Sequence, residues 1–203
     1  MTLCNDTWIR ARAEAGMITP YTPALVRSVD APLRGPDATR AVLSYGASSY
    51  GYDLRLSSAA FYTFRRIPGE VVDPKRFDKR CLERAELHRD GSGDEFFILP
   101  ANSYGLGVAV EYLELPHDVT ALFIGKSTYA RCGVIANLTP AEAGWRGHLT
   151  LEFSNASSAD VRLYAGEGVV QALFFVGERC GVTYEDRAGK YQGQPLDVVT
   201  ARV

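Results

Sequence analysis

The chain has 203 residues, enough for one domain with its own core and short for two. With 46% apolar and 23% charged residues, and only 19 Gly and 10 Pro, it has the composition of a folded globular protein, which excludes fibrous and low-complexity chains. A formal net charge of −2 disfavours a general nucleic-acid binder, whereas a small anionic ligand needs only a local cluster of Lys and Arg.

In chain order, Asp6 or Thr7 can cap a short helix that places Trp8, Ile9 and Ala13 on one face and stops at Gly16. Asp73-Pro74 is a second helix-start signal, a capping Asp before Pro at the first helical position, with Phe77 and Cys81 facing inward. Residues 84–94 are polar and contain Asp90-Gly91-Ser92-Gly93-Asp94, a surface loop. From residue 95 the pattern changes to short strands: Glu95–Leu99, Gly105–Tyr112, Val119–Ile124, His148–Ser154, Val161–Tyr164 and Val169–Val176. Val119–Ile124 is almost continuously apolar and reads as buried on both faces, whereas His148–Ser154 alternates, with Leu149, Leu151 and Phe153 on the core side. Many short strands at this spacing predict a mainly β fold, a sandwich or barrel. The last twenty residues, with Gly181, Gly189, Gly193 and Pro195, read as a partly ordered tail.

No apolar run approaches the roughly 18 residues of a membrane helix, and Met1–Asp6 has no basic-then-apolar signal pattern. The four cysteines and three histidines are scattered, without Cys-x-x-Cys or His-x-Glu. They read as reduced cytoplasmic thiols and as no closed zinc site.

Four segments can carry chemistry. Gly125-Lys126-Ser127-Thr128-Tyr129-Ala130-Arg131 follows a strand and gathers an ammonium, a guanidinium and two hydroxyls. It is either a phosphate-binding turn or a solvated surface turn, and it lacks the glycine spacing of a P-loop. Glu152 lies mid-strand on the face opposite Leu151 and Phe153. It is either solvent-exposed or set in a polar pocket, where burial would raise its pKa and suit acid–base work. Gln171 interrupts an apolar strand, as a backbone-bonded core amide or as a ligand contact. Tyr184 with Gly189-Lys190-Tyr191-Gln192-Gly193-Gln194 is either a frayed end or a flap closing on a nucleotide. In the loop Asn137–Trp145, Thr139-Pro140 fixes an extended turn and Trp145 reads as a packing residue.

Together these segments resemble the dCTP deaminase family. The resemblance lies in Ser48–Leu56, Val71–Lys75, Gly125–Arg131, Gly144–His148, Leu149–Asn155, Val169–Phe175 and Gly189–Gln194, in that order across nearly the whole chain. It implies a distorted β-barrel or jelly-roll-like subunit of the dUTPase-like fold, one domain over residues 1–203 with 181–203 as a tail closing over the nucleotide site. It also implies homotrimers with active sites between subunits, dCTP as substrate, dTTP as a possible feedback inhibitor, and no nucleic-acid or membrane partner. Magnesium would arrive with the triphosphate, with no zinc. By the resemblance Glu152 is the acid–base residue. Ser127, Arg131 and a carbonyl at Pro140 orient the water. Lys126, Ser127, Thr128 and Arg131 meet the triphosphate, and backbone groups of Thr150 and Leu151 read the cytosine edge. Gln171, Tyr184, Lys190 and Gln194 complete the site. The loop before Gly144 is shorter than in many members and carries Glu142 where they have Asp. The implied reaction is hydrolysis of dCTP to dUTP and ammonia. The alternatives are a bifunctional enzyme that continues to dUMP and pyrophosphate, a nucleotide sensor on the same fold, and a β-sandwich interaction module.

Overall fold

The computed structural model describes residues 1–31, 35 and 37–203. Its elements are β1 (Thr2–Leu3), α1 (Asp6–Glu14), β2 (Ile18–Thr19), β3 (Val26–Asp30), β4 (Thr39–Ser48), β5 (Gly51–Phe64), β6 (Leu82–Arg84), β7 (His88–Arg89), β8 (Glu95–Leu99), β9 (Tyr104–Glu114), β10 (Val119–Gly125), α2 (Ser127–Ala130), β11 (Val134–Ala136), β12 (Thr139–Ala141), β13 (Arg146–Asn155), β14 (Val161–Tyr164) and β15 (Gly168–Val176). Among the described residues the protein is mainly β, as the strand spacing predicts.

The main sheet runs β11-β13-β9-β5-β15-β10-β12, with β1, β2, β3, β4 and β6 attached along its path. It curls because the two halves of β5 pair along the main path with different strands. Tyr52–Arg55 pair with β15, whereas Leu56 and Phe61–Thr63 pair with β9, across an irregularity between Leu56 and Phe61. Such an insertion bends and twists a strand, so the two halves of β5 carry different sheet faces around one core. Phe61 sits at the bend, fully buried, its ring stacked on Phe97 at 5.1 Å and tilted against Phe153 at 6.1 Å. The opposing strand makes room for it with Gly105, where a Cβ would stand 2.6 Å from the Phe61 ring. A second, three-stranded sheet, β14-β8-β7, closes one end and places Phe97, Leu99 and Leu163 in the same core.

Polar groups join the layers where backbone pairing cannot. Asn155 is buried. Its Nδ2 donates to the carbonyls of Leu99, Pro100 and Ala159 at 3.2, 3.0 and 2.8 Å, and its Oδ1 accepts from the Ser157 backbone N–H and hydroxyl at 3.0 and 2.8 Å. Glu111 is also fully buried and accepts from the Arg55 backbone N–H at 2.9 Å and from its Nε at 2.7 Å. Burial pushes the Glu111 carboxyl upward and the Arg55 guanidinium opposes that rise.

Several expectations need correction. The first helix starts where expected, but its cap is Asn5, which accepts from the Trp8 N–H. Asp6 contributes as an acidic first-turn residue instead. Asp73-Pro74 opens no α-helix. Asp73 closes a local turn by accepting from the Lys75 N–H at 2.9 Å, and only a one-turn 3-10 segment follows at Lys79–Cys81, capped by Asp78. A four-residue-spaced apolar pair amid five charges is too small a face to hold a helix. The polar stretch 84–94 contains β7, which pairs with β8 around the Asp90–Asp94 turn. Strand β10 is buried on one face only: Val119, Ala121 and Phe123 point inward, while Leu122 is half-buried and Ile124 exposed.

Asn155→Ala should lower unfolding free energy by about 3 kcal/mol, because it strands several buried backbone groups at once. Urea denaturation checks this, and a loss below about 1 kcal/mol would mean that water replaces the amide without penalty.

Candidate functional site

The alternation of β13 sends Leu149, Leu151 and Phe153 into the core and leaves Thr150 and Glu152 half-buried on the opposite face. That face floors a cavity of about 260 Å³. Phe64, Phe77 and Tyr104 form one wall, Thr139, Pro140, Ala141 and Glu142 of the β12 loop a second, and Tyr184, Tyr191, Gln194, Val199 and Ala201 the third. Glu152 is therefore in a pocket and not on an open strand surface.

The Glu152 carboxylate is oriented by Asn137. Its Oε2 accepts from Asn137 Nδ2 at 2.7 Å, and its backbone carbonyl accepts from the Asn137 N–H at 2.9 Å. Among the described residues its other oxygen has no hydrogen-bond partner, so it is available to a ligand or water. Burial, with the Glu152 charge nearby, pushes the Tyr104 phenol upward; Tyr104 is thus a neutral hydroxyl beside the carboxylate. Beneath the tail, Thr150 Oγ1 donates to Gln194 Oε1 at 2.7 Å and accepts from the Val199 N–H at 3.1 Å. Gln194 is buried. The tail expected to be partly ordered is thus laid across the cavity, because its turns are tied down by side chains: Trp145 Nε1 donates to the Tyr191 carbonyl at 2.8 Å, and the Tyr191 N–H donates to Tyr184 Oη at 3.0 Å.

The other site candidates lie elsewhere. Ser127, Thr128 and Arg131 belong to or follow α2 and are exposed, and none of them lines the Glu152 cavity. Lys126 precedes the same helix. Its Nζ donates to Ser44 Oγ at 3.0 Å and is ion-paired with the buried Asp53. Gln171 stands next to this pair in register with Asp53. Its Nε2 donates to Asp53 Oδ1 at 3.2 Å and Ser48 Oγ at 3.3 Å, so its amide orientation is set and its carbonyl oxygen is the free end. The chain therefore carries two groups: Thr150, Glu152, Pro140, Glu142, Tyr184 and Gln194 at the cavity, and Lys126, Ser127, Thr128, Arg131 and Gln171 on another face. Leu151 is buried, with its backbone paired to Gly107. Lys190 lies outside the cavity, its Nζ donating to the Arg202 carbonyl at 2.8 Å. Glu142 is ion-paired with Arg187.

Sequence reasoning missed Asn137, Tyr104 and Asp53. For Asp53 the signal was available: a carboxylate between Tyr52 and Leu54 in an apolar strand needs a partner. For Asn137 and Tyr104 there was none, since they reach Glu152 through folding alone. Among the described residues no three His, Cys, Asp or Glu side chains converge as metal ligands.

A mainly β subunit with a carboxylate-floored pocket and a separate cluster of cationic, hydroxyl and amide groups has the features of a small-anion or nucleotide enzyme. The family model for dCTP deaminase-like proteins matches residues 3–177, and the chain belongs to that family. It is 47% identical over 196 residues to a dCTP deaminase of Acidovorax sp. (strain JS42) and 48% identical to one of Pseudomonas paraeruginosa, each alignment covering 96% of both chains. A solved structure of 2'-deoxycytidine 5'-triphosphate deaminase from Agrobacterium tumefaciens shares the fold, with a TM-score of 0.54 and 17% identity over 86% of this chain, which spans about half (48%) of that protein's length.

Asp53→Asn should leave the largely buried Lys126 ammonium without its counter-charge and cost about 3 kcal/mol of stability. Chemical denaturation reads this; an unchanged midpoint would mean that Ser44 and solvent suffice.

Proposed function

We infer that the protein hydrolyses dCTP to dUTP and ammonia. The observation that carries this reading is the Glu152 carboxylate, held through one oxygen by Asn137 and lining a cavity, in a chain nearly half identical to dCTP deaminases over almost its whole length. Deamination at C4 needs a nucleophilic water and a proton for the ring nitrogen. Glu152 takes a proton from water as the oxygen bonds to C4 and passes it to N3. It then moves the hydroxyl proton to the amine, and the C4–N bond breaks with release of ammonia. The backbone of Thr150 and Leu151 borders the base, and the Pro140 carbonyl orients the water. Tyr184 and Gln194 cover the sugar side. The triphosphate brings its own magnesium.

The second group of residues enters from another copy of the chain. On its own chain the Ser127–Arg131 helix lies off the cavity, yet it is flanked by Ile124, Ile135 and Leu138, exposed by 36, 57 and 58%. Exposed apolar side chains gathered beside functional groups mark an interface. In a homotrimer, Ser127, Arg131, Lys126, Thr128 and Gln171 of one subunit would face Glu152 of its neighbour and hold the water and triphosphate. The turnover product of the wider pathway, dTTP, presents the same triphosphate to the same pocket and would act as a feedback inhibitor. No helix among the described residues is long and apolar enough to cross a membrane, and the four cysteines are free. A cytoplasmic enzyme fits both.

Glu152→Gln keeps size and one acceptor but cannot shuttle a proton, so kcat should fall by at least about 10²–10⁴ with dCTP binding retained. Near-normal ammonia release would overturn the assignment. Mixing inactive Glu152→Gln and Arg131→Ala subunits, unfolded and refolded together, should restore on the order of a quarter of wild-type activity, the share of interfaces with both faces intact; no recovery would place the whole site in one subunit. Phosphorus NMR of a completed dCTP reaction should show dUTP and no pyrophosphate, because Glu142, the carboxylate nearest the loop that would serve a second hydrolysis, is ion-paired with Arg187.

A further inference from the structure

We propose that Gln192 is a positioning residue: its side chain sets the register of the C-terminal segment against the Gly144–His148 edge, and so decides whether Tyr191 and Gln194 reach the Glu152 cavity. The inference rests on reading that cavity as the nucleotide site.

The backbone alone specifies this docking weakly. The segment forms one isolated parallel bridge, Gly147 with Gln194. Residues 191–194 make two backbone hydrogen bonds to that edge, from the Gly193 N–H to the Arg146 carbonyl at 2.9 Å and from the His148 N–H to the Gln194 carbonyl at 3.0 Å, and upstream the Tyr184 N–H adds one to the Ala143 carbonyl at 2.9 Å. A strand held by so few bonds can slip, and each residue of slip moves the chain by about 3.3 Å.

Gln192 supplies what the ladder lacks. Its Oε1 accepts from the Arg146 N–H at 3.1 Å, and its Nε2 donates to the Gly144 carbonyl at 2.9 Å. One side-chain amide thus pairs with the backbone of residues 144 and 146 as a peptide group of a neighbouring strand would. The two contacts require one acceptor and one donor at a fixed spacing, which only a primary amide of this length offers. A slipped segment would bring Tyr191 or Gly193 to this position, and neither can make both bonds. The edge is also built to receive the segment closely: Gly147 has φ +145, and a Cβ there would stand 2.6 Å from the Gln194 nitrogen. In the observed register Gln194 meets Thr150 at 2.7 Å, and both line the cavity with Glu152.

The test uses the full-length protein with Gln192→Ala, Gln192→Glu and Gln192→Asn. Gln192→Glu is nearly isosteric but turns an acceptor toward the Gly144 carbonyl; Gln192→Asn keeps the chemistry one methylene short. For all three, KM for dCTP should rise about tenfold or more while kcat stays within about threefold and Tm within about 2 °C, since the segment adds little to the core. Trypsin cleavage after Arg187 and Lys190, followed by mass spectrometry without nucleotide, should be about tenfold faster than in wild type. A KM within about twofold of wild type with unchanged cleavage overturns the proposal, as does a Tm loss of more than about 5 °C in Gln192→Glu, which would make the residue a stability element. If the wild-type protein does not turn over dCTP, the reading of the cavity falls. The cleavage experiment, which needs no substrate, still decides the register: unchanged cleavage overturns it and faster cleavage upholds it.

Discussion

Much of this structure depends on one strand that cannot be straight. β5 gives its first residues to β15 and its last to β9, and Phe61 fills the bend between them. The ring is accommodated because the facing strand carries Gly105 and Gly107, at each of which a Cβ would come within 2.6 Å of Phe61 or Leu56. The bend has a functional consequence. β15 brings Gln171 beside Asp53 on the first half of β5, whereas β9 carries β13, and with it Glu152, on the second. The same strand thus holds the cationic group and the carboxylate group apart within one chain. None of Lys126, Ser127, Thr128, Arg131 or Gln171 lines the cavity that Glu152 floors.

The two groups also differ in how they are held. The Lys126–Asp53–Gln171 cluster is fixed by a buried carboxylate and a defined amide orientation, which suits a rigid anion-facing surface. The cavity of Glu152 is walled on one side by a segment attached through side-chain hydrogen bonds and turns, with a single β-bridge. Such a wall opens at low free-energy cost. On the proposed reading of this cavity, such a wall would admit a nucleotide and then shield Glu152 from water.

The strand pattern from residue 95 onward, the alternation in β13 and the first helix could be read directly, because each is a local periodicity. Asp73-Pro74 misled because capping signals favour a helix start but do not supply the buried face that stabilises a helix. The polar stretch around β7 was missed because an edge strand next to a turn needs no apolar alternation of its own. For the site, Gln171 was legible as an amide interrupting an apolar strand, whereas Glu152, a carboxylate on the polar face of an alternating strand, took a role only from the resemblance. The division of the candidates between two faces was not legible: it follows from which half of β5 each partner strand joins, a non-local choice. Asn137 and Tyr104 were equally out of reach, since nothing near them in sequence marks their approach to Glu152.

Orientation at Glu152 is then a matter of two partners with different roles. Asn137 binds the same residue through both side chain and backbone, so the carboxylate cannot rotate without breaking a contact that also ties the β11–β12 connection to β13. A neutral tyrosine hydroxyl, Tyr104, stands close enough for the carboxylate charge to raise its pKa. The two arginines that meet carboxylates around this face, Arg187 with Glu142 and Arg146 with Glu185, leave Glu152 untouched. The cation that the resemblance assigns to the water, Arg131, lies off the cavity on its own chain.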